Sequence, residues 1–370
     1  MPDHFVLAGG GSAGHVNPML ATAAELRRRF PRAHFTVLGT AEGLEADLVP
    51  AAGFELTTIT KVPLPRRPSM DVLRFPGRWR SATATARAAI RGADVVVGFG
   101  GYVATPAFLA ARSQGVPIVV HEQNARPGLA NKLGARWAGA VGITFEGTPL
   151  PKAQLVGLPL RPEIAALVAG RDAARRNAGR DHCGLDAHRT TVLVTGGSLG
   201  AARLNAVLPA LAEDLIAAGA QVLHLTGRGK LDSAQDLLSQ LPEETRRHYH
   251  LREYLPQMAE ALAAADVVVT RAGAGMVSEL AALGLPAIYV PLPVGNGEQR
   301  LNARPVVSAG GGLMVEDRHL TPQWLGEHLL PLVRDDHRRE AMGADAARAG
   351  ITDGAARLAD LVLATAGTGR

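Results

Sequence analysis

The stretch His4-Phe5-Val6-Leu7-Ala8-Gly9-Gly10-Gly11-Ser12-Ala13-Gly14-His15 is an apolar run that ends in a glycine-rich loop. Gly9, Gly11 and Gly14 satisfy the G-x-G-x-x-G spacing, in which glycines permit a tight turn and let a ligand approach the backbone. A helix is expected to follow, with Asn17 as its N-cap and Pro18 as its first residue, because Met19, Ala23, Leu26 and Phe30 recur at helical spacing. Unpaired N–H groups at such a terminus favour an anion. Strand, loop and helix together therefore predict a seat for a phosphate or a sugar, although turns of this kind also serve close packing alone.

The pattern recurs further along the chain. Val192-Leu193-Val194-Thr195 leads into Gly196-Gly197-Ser198-Leu199-Gly200-Ala201 and a helix near Arg203. Ala265-Asp266-Val267-Val268-Val269 echoes Ala93-Asp94-Val95-Val96-Val97, and Gly284-Leu285-Pro286 echoes Gly115-Val116-Pro117. Three landmarks in the same order predict two doubly wound α/β domains in tandem, each with a parallel sheet. Gly157-Leu158-Pro159-Leu160-Arg161-Pro162 breaks any regular element and reads as the linker. The expected division is residues 1–160 and 161–349, with a last amphipathic helix at about 350–366, bearing Leu358, Leu361 and Val362, packing back on the first domain.

Composition agrees with two globular domains: 370 residues, 47% hydrophobic and 20% charged. The single cysteine, Cys183, has no disulfide partner within the chain, and neither a signal-peptide pattern nor an uninterrupted apolar run of membrane-spanning length is present, so a cytosolic location is expected. A net charge of +5 allows an anionic partner. Nucleic acid is disfavoured, because aromatics are only 4% and no basic run interleaves them for base stacking.

Ligands of open parallel sheets bind beyond the carboxyl ends of the strands. Gly100, His121, Glu122 and Asn124 are expected there in the first domain, and Thr270 to Gly275 and the polar loop Pro291 to Asn302 in the second. His121 and Glu122 read equally well as a structural pair that fastens a loop. The second strand, His34 to Leu38, ends in Gly39-Thr40, where a nicotinamide-binding unit would place an acid, and Glu42 comes late for that role. Residues 66–91 gather Arg66, Arg67, Arg74, Arg78, Arg80, Arg87 and Arg91 against one acid, Asp71, with Phe75 and Trp79 among them. The segment reads either as a solvated helix face or as a surface that docks on an anionic leaflet.

Taken together, the glycine loop with His15, Gly100-Gly101-Tyr102, His121-Glu122-Gln123-Asn124, Gly196-Gly197-Ser198-x-Gly200-Ala201, Val277-Ser278-Glu279 and Gln299 with Asn302 resemble the MurG family of GT-B glycosyltransferases over nearly the whole chain. Two departures are visible. Ala13 stands where the family loop commonly has glycine, and Glu298 where some relatives have glutamine. The resemblance implies two Rossmann-like domains facing a deep cleft. It implies inverting transfer of GlcNAc from UDP-GlcNAc to the C4 hydroxyl of MurNAc in undecaprenyl-linked lipid I, giving the peptidoglycan precursor lipid II. The implied location is peripheral, on the cytoplasmic face of the plasma membrane.

By the same resemblance the second domain holds the donor. Leu255 meets the uracil through its backbone, Glu279 the ribose hydroxyls, Ser198 and Arg161 the diphosphate, and Gln299 the sugar, with Ala274, Gly275, Met276, Val277 and Ser278 alongside. Ser12, Ala13, Gly14 and Asn124 reach the sugar from the first domain, and the acceptor and membrane side takes Arg66, Arg67, Arg74, Phe75, Arg78, Trp79 and Arg80. No cofactor is required, and stimulation by a divalent cation stays open.

The residue chemistry fits this reading. A carboxylate such as Glu279 can accept two hydrogen bonds from a diol, and helix-terminal N–H groups with Arg161 can stabilise charge on departing UDP. No Asp-x-Asp motif is present to bind a metal. His15 is chemically suited to be the base, with Glu122 as the second candidate. The competing readings are another GT-B transferase or an epimerase using UDP-GlcNAc, an NAD-dependent oxidoreductase, and a non-catalytic UDP-sugar-binding subunit.

Overall fold

The computed structural model describes residues 2–62, 70–197 and 200–367, with Met70 to Arg74 and Ser233 described by backbone alone. The chain divides into two compact units, Met1–Arg161 with Asp353–Arg370, and Pro162–Thr352.

The first unit is a seven-stranded parallel sheet in the order β3-β2-β1-β4-β5-β6-β7. Its strands are β1 His4–Gly9, β2 His34–Gly39, β3 Glu55–Thr58, β4 Val95–Gly100, β5 Ile118–Glu122, β6 Ala140–Ile143 and β7 Ala153–Leu155. Strands buried on both faces need continuous apolar runs, which Val95-Val96-Val97 and Ile118-Val119-Val120 supply. Successive side chains point to opposite faces. Val6 and Ala8 of β1 join one buried cluster with Val96 and Phe108, while Phe5 and Leu7 join another with Val97 and Met19. The terminal helix Gly354–Gly367 packs its Leu358, Ala359, Val362 and Ala366 into the second of these clusters. Each fully buried Leu or Val there contributes on the order of 2 kcal/mol.

The second unit is a six-stranded parallel sheet in the order β10-β9-β8-β11-β12-β13. Its strands are β8 Thr190–Thr195, β9 Ala220–Leu225, β10 Tyr249–Arg252, β11 Val267–Thr270, β12 Ala287–Tyr289 and β13 Gly312–Met314. In each sheet the strand order reverses beside the first strand, between β1 and β4 and between β8 and β11. That reversal opens a crevice at the carboxyl ends, and both glycine loops lie there.

One sequence expectation is corrected. The helix after the first loop spans Ala13–Arg29 with Ser12 as N-cap, so Asn17 and Pro18 lie inside it. The backbone N–H groups of His15 and Val16 already bond to Ser12 O at 3.0 and 3.1 Å. Pro18 then forgoes a single bond, to Gly14 O, near the end of a helix where backbone groups are incompletely paired in any case. The loop is consequently short, and the helix terminus abuts its glycines.

The basic segment forms a helix, Met70–Ala89, with Pro76 inside it. Phe75 and Trp79 stack on each other with ring centroids 5.8 Å apart and pack, half-buried, against the first core cluster. Arg80 is exposed. Arg66 and Arg67 lie outside the described residues, as does the side chain of Arg74.

Candidate functional site

In the first unit three carboxyl-end loops converge: 9–15 after β1, 100–102 after β4 and 122–131 after β5. Glu45, fully buried, accepts hydrogen bonds from Gly11 N at 3.1 Å, Thr40 N at 3.0 Å and Thr40 Oγ1 at 2.7 Å, so it holds the glycine loop against the end of β2. Burial acts to raise its pKa, but hydrogen bonds from its own backbone N–H, Thr40 and Gly11 outweigh it and keep the carboxyl below its ordinary value. This is where the acid after β2 went. It fastens a loop and does not wait for a ribose.

His15 sits in the first turn of the Ala13–Arg29 helix. Its Nδ1 lies 3.2 Å from Gly10 O and 3.0 Å from Ser12 Oγ. A carbonyl only accepts, so Nδ1 carries the proton and Nε2 keeps its lone pair. Burial pushes the imidazole below its ordinary 6.5, against the opposing pull of the Glu122 carboxylate, the Gly10 carbonyl and the Glu45 carboxylate. A neutral ring with a free Nε2 is the form a general base needs. A Cβ added at Gly100 would sit 3.2 Å from that Nε2, so Nε2 faces the bare backbone at the end of β4.

Gly101 is tighter still. Its φ is +77°, and an added Cβ would lie 2.3 Å from Gly10 O. Gly101→Ala is therefore expected to destabilise the protein by about 2 kcal/mol and to displace the His15 loop. Urea unfolding checks the first effect and turnover the second.

Glu122 is buried and accepts from Asn124 N at 2.9 Å, Gly128 N at 3.0 Å and Asn131 Nδ2 at 2.9 Å. Three donors occupy its oxygens, which makes it the clamp of the β5 loop. His121 is fully buried, with Nε2 donating to Gly157 O at 3.0 Å and Nδ1 accepting from Gln123 Nε2 at 3.2 Å. Burial lowers its pKa to about 4, so the ring stays neutral. Asn124 is half-buried on the same loop, and Ser12, Ala13 and Gly14 are exposed.

In the second unit the loop after β8 is held by Gly197 N donating to Thr195 Oγ1 at 3.2 Å. At Gly200, φ +66°, a Cβ would overlap the Thr226 carbonyl at 2.0 Å, so this loop packs directly on the end of β9. Ser198 lies outside the described residues. After β11, the helix Ala274–Leu283 starts from Gly273 with no acidic residue in its first turn, which leaves the N–H groups of Ala274, Gly275 and Met276 at a terminus of positive dipole. Val277 and Glu279 are buried on that helix and Ser278 is half-buried. Leu255 is buried in the loop after β10.

Gln299 Oε1 accepts from Ala272 N at 3.1 Å and Leu292 N at 3.0 Å, joining the loops after β11 and β12. Two backbone donors fix the amide orientation and leave Nε2 to donate to a ligand. Arg271, which the sequence places in the polar strand end Thr270 to Gly275 without giving it a role, donates to Val290 O at 3.1 Å and Pro291 O at 3.3 Å and pairs with Asp317, fixing the same loop from the other side. Arg161 closes the first unit just before the Pro162–Gly170 helix. Among the described residues no three His, Cys, Asp or Glu side chains cluster so as to hold a metal ion.

Two parallel-sheet α/β units, each with a glycine loop at its topological switch point, make up the GT-B fold. The family model of the glycosyltransferase family 28 N-terminal domain matches residues 5–143, and that of its C-terminal domain matches residues 191–358. The chain belongs to glycosyltransferase family 28. It is 54% identical to a protein of Bifidobacterium longum (strain DJO10A) named UDP-N-acetylglucosamine--N-acetylmuramyl-(pentapeptide) pyrophosphoryl-undecaprenol N-acetylglucosamine transferase, with 97% of each chain covered. A protein of the same name from Clavibacter sepedonicus is 55% identical over 97% of this chain and 95% of its own. Among solved structures, MurG of Acinetobacter baumannii is 27% identical, with a TM-score of 0.76 over 98% of this chain and 100% of that one. A Neisseria meningitidis UDP-GlcNAc 2-epimerase, 14% identical with a TM-score of 0.71 over 98% of this chain and 99% of its own, shares the fold.

Proposed function

We propose that this chain transfers GlcNAc from UDP-GlcNAc to the C4 hydroxyl of MurNAc in undecaprenyl-pyrophosphoryl-MurNAc-pentapeptide, with inversion, giving the lipid-linked disaccharide precursor of peptidoglycan. The observation that carries this reading is identity of 54–55% over nearly full length to transferases whose names state that donor and that acceptor. In the reaction, His15 Nε2 takes the C4 hydroxyl proton as the oxygen attacks the anomeric carbon. The bond from that carbon to the UDP phosphate breaks, and its electron pair leaves with UDP.

The N-terminal turn at Ala274–Met276, Ser198 and Arg161 stabilise the departing diphosphate. Glu279 accepts from the ribose diol, Leu255 meets the uracil, and Gln299 Nε2 donates to the sugar. Ser12, Ala13, Gly14 and Asn124 form the sugar-facing wall of the first unit. Glu122 keeps that wall in shape. The reaction as written needs no cofactor.

The acceptor's lipid tail calls for a peripheral membrane position at the cytoplasmic face, and among the described residues no helix is long and apolar enough to cross a membrane. With Phe75 and Trp79 turned toward the core, attraction to an anionic leaflet rests on the cations of segment 66–91, including Arg78 and Arg80. Each cation near the surface adds about 1 kcal/mol.

Incubation with labelled UDP-GlcNAc and a lipid I analogue is expected to move label into lipid product. Label remaining in donor, or recovered as an epimer, would overturn the transferase reading. Glu279→Gln is expected to weaken UDP-GlcNAc binding by about tenfold to a hundredfold, since it replaces a charged acceptor at the ribose. Calorimetric titration reads this directly, and unchanged affinity would remove Glu279 from the donor site.

A further inference from the structure

The second unit has a pocket at the opposite end of its sheet from the donor loops, where Asp266 and Pro286 precede β11 and β12. Its volume is about 390 Å³, within the range of small-molecule sites. Arg171, Arg176 and Arg339 line it with Asp266, Asp336 and Glu340. The formal charges balance, but the pairing does not. Asp266 binds Arg176 at 3.2 Å and Arg180 at 2.6 Å, and Asp336 binds Arg339. Glu340 approaches His337, at 3.8 Å.

Among the described residues, Arg171 has no carboxylate within ion-pair distance. Its hydrogen bond goes from Nη2 to the Ala265 carbonyl, and its Nε is buried with no acceptor. Burial and the neighbouring cations Arg176 and Arg180, opposed by Asp266, lower its pKa to about 10. An enclosed guanidinium short of acceptors is costly unless an anion completes it.

The first unit supplies an internal control. It has the equivalent pocket, where Asp94 precedes β4 and Pro117 precedes β5, with a volume of about 260 Å³ and no arginine among its lining residues. Asp94 there accepts from Asp3 N at 2.6 Å and His4 N at 3.0 Å, as Asp266 accepts from Thr191 N at 2.7 Å. The fold thus uses the aspartate to hold the start of its central strand, and in the first unit no arginine lines the pocket beside it. The cluster around Arg171 is an addition that the architecture does not require.

We infer that this pocket binds a small phosphate monoester, with the phosphate on Arg171 and the organic part filling the remaining volume. A phosphate accepts the planar fork of a guanidinium in bidentate geometry. The volume exceeds what a bare phosphate fills, and Asp336 at the rim offers acceptors to hydroxyl groups of the organic part.

The test is calorimetric titration of glycerol 3-phosphate into the full chain held in saturating UDP, so that any phosphate-accepting donor site is occupied. Saturable binding is expected, weakened about tenfold to a hundredfold in Arg171→Met. Glu340→Gln, an exposed position whose replacement leaves the fold intact, is expected to tighten binding by about twofold or more as a like charge is removed. Co-sedimentation with phosphatidylcholine vesicles containing phosphatidic acid separates the two sources of the group. Arg171-dependent sedimentation without a response to the soluble ester assigns the site to a lipid headgroup, and the converse assigns it to a metabolite. No binding in either arm, or binding indifferent to both substitutions, overturns the proposal.

Discussion

Replacing His15 with alanine is expected to lower kcat by about 10²- to 10⁴-fold while UDP-GlcNAc affinity stays within about threefold, since the uridine contacts assigned above lie on the other unit. The loss is one of chemistry, because Nε2 is the ring atom with a free lone pair, held by the Nδ1 contact to Gly10 O at 3.2 Å. His15→Gln separates proton transfer from loop fastening: its amide can keep a hydrogen bond to the loop but cannot take a proton at neutral pH. Both variants should therefore be slow, with only alanine loosening the loop. The pH profile adds a sign. Burial holds the His15 pKa below 6.5, so the acid limb of kcat/KM falls below that value and disappears in the variants. A rate near wild type in His15→Gln would leave the residue as a loop fastener alone.

Much of the fold was legible because a buried parallel strand cannot hide its composition. Val95-Val96-Val97 and Val267-Val268-Val269 each follow an Ala-Asp pair, and in the structure those aspartates hold the backbone of the central strand in their own sheet. The repeat in the sequence was thus the repeat of a physical device.

The start of the first helix was misplaced because Asn17-Pro18 carries a capping signature, whereas Ser12 caps with its carbonyl and makes no side-chain cap bond. Local sequence scores side-chain caps and cannot see a backbone one. Glu45 escaped notice, and Arg271 was given no role, for a related reason. Their partners are Gly11, Thr40, Val290 and Pro291, and only the folded chain brings these within reach. The position of Glu45 just after the Gly39-Thr40 strand end was the one usable signal. His121 and Glu122 show the complementary difficulty. Residue type made them candidates for chemistry, but both are occupied in fastening loops: Glu122 accepts from three donors, and His121 bonds to Gly157 O and Gln123 Nε2.

Mild acid is expected to destabilise both units through their buried histidines. His121 in the first unit has its pKa lowered from 6.5 to about 4, and His224 in the second from 6.5 to about 3, in each case chiefly by burial. The His224 ring is held neutral between two neighbours, accepting at Nδ1 from Tyr249 Oη at 2.9 Å and donating from Nε2 to Asn205 Oδ1 at 3.0 Å. Asn205 in turn donates to Thr226 O at 3.0 Å, so protonation would place a second donor against a hydroxyl inside a closed chain of bonds. A depressed native pKa means that the unfolded chain binds the proton more readily. The stabilisation is therefore fully present above 6.5 and is lost as pH falls toward the native values.

The full contributions are about 3 kcal/mol for His121 and about 5 kcal/mol for His224, of which about 2 kcal/mol each is lost by about pH 5. His4, His15 and His250 shift in the same direction, so total stability confounds them and single substitutions are needed. Urea unfolding at neutral pH and at about pH 5 should show the pH dependence of the second unit, followed through Trp324, flattened by about 2 kcal/mol in His224→Gln. The first unit, followed through Trp79 and Trp137, should respond in the same way to His121→Gln. A variant that lowers stability equally at both pH values would show that its histidine contributes packing and hydrogen bonds but no proton linkage.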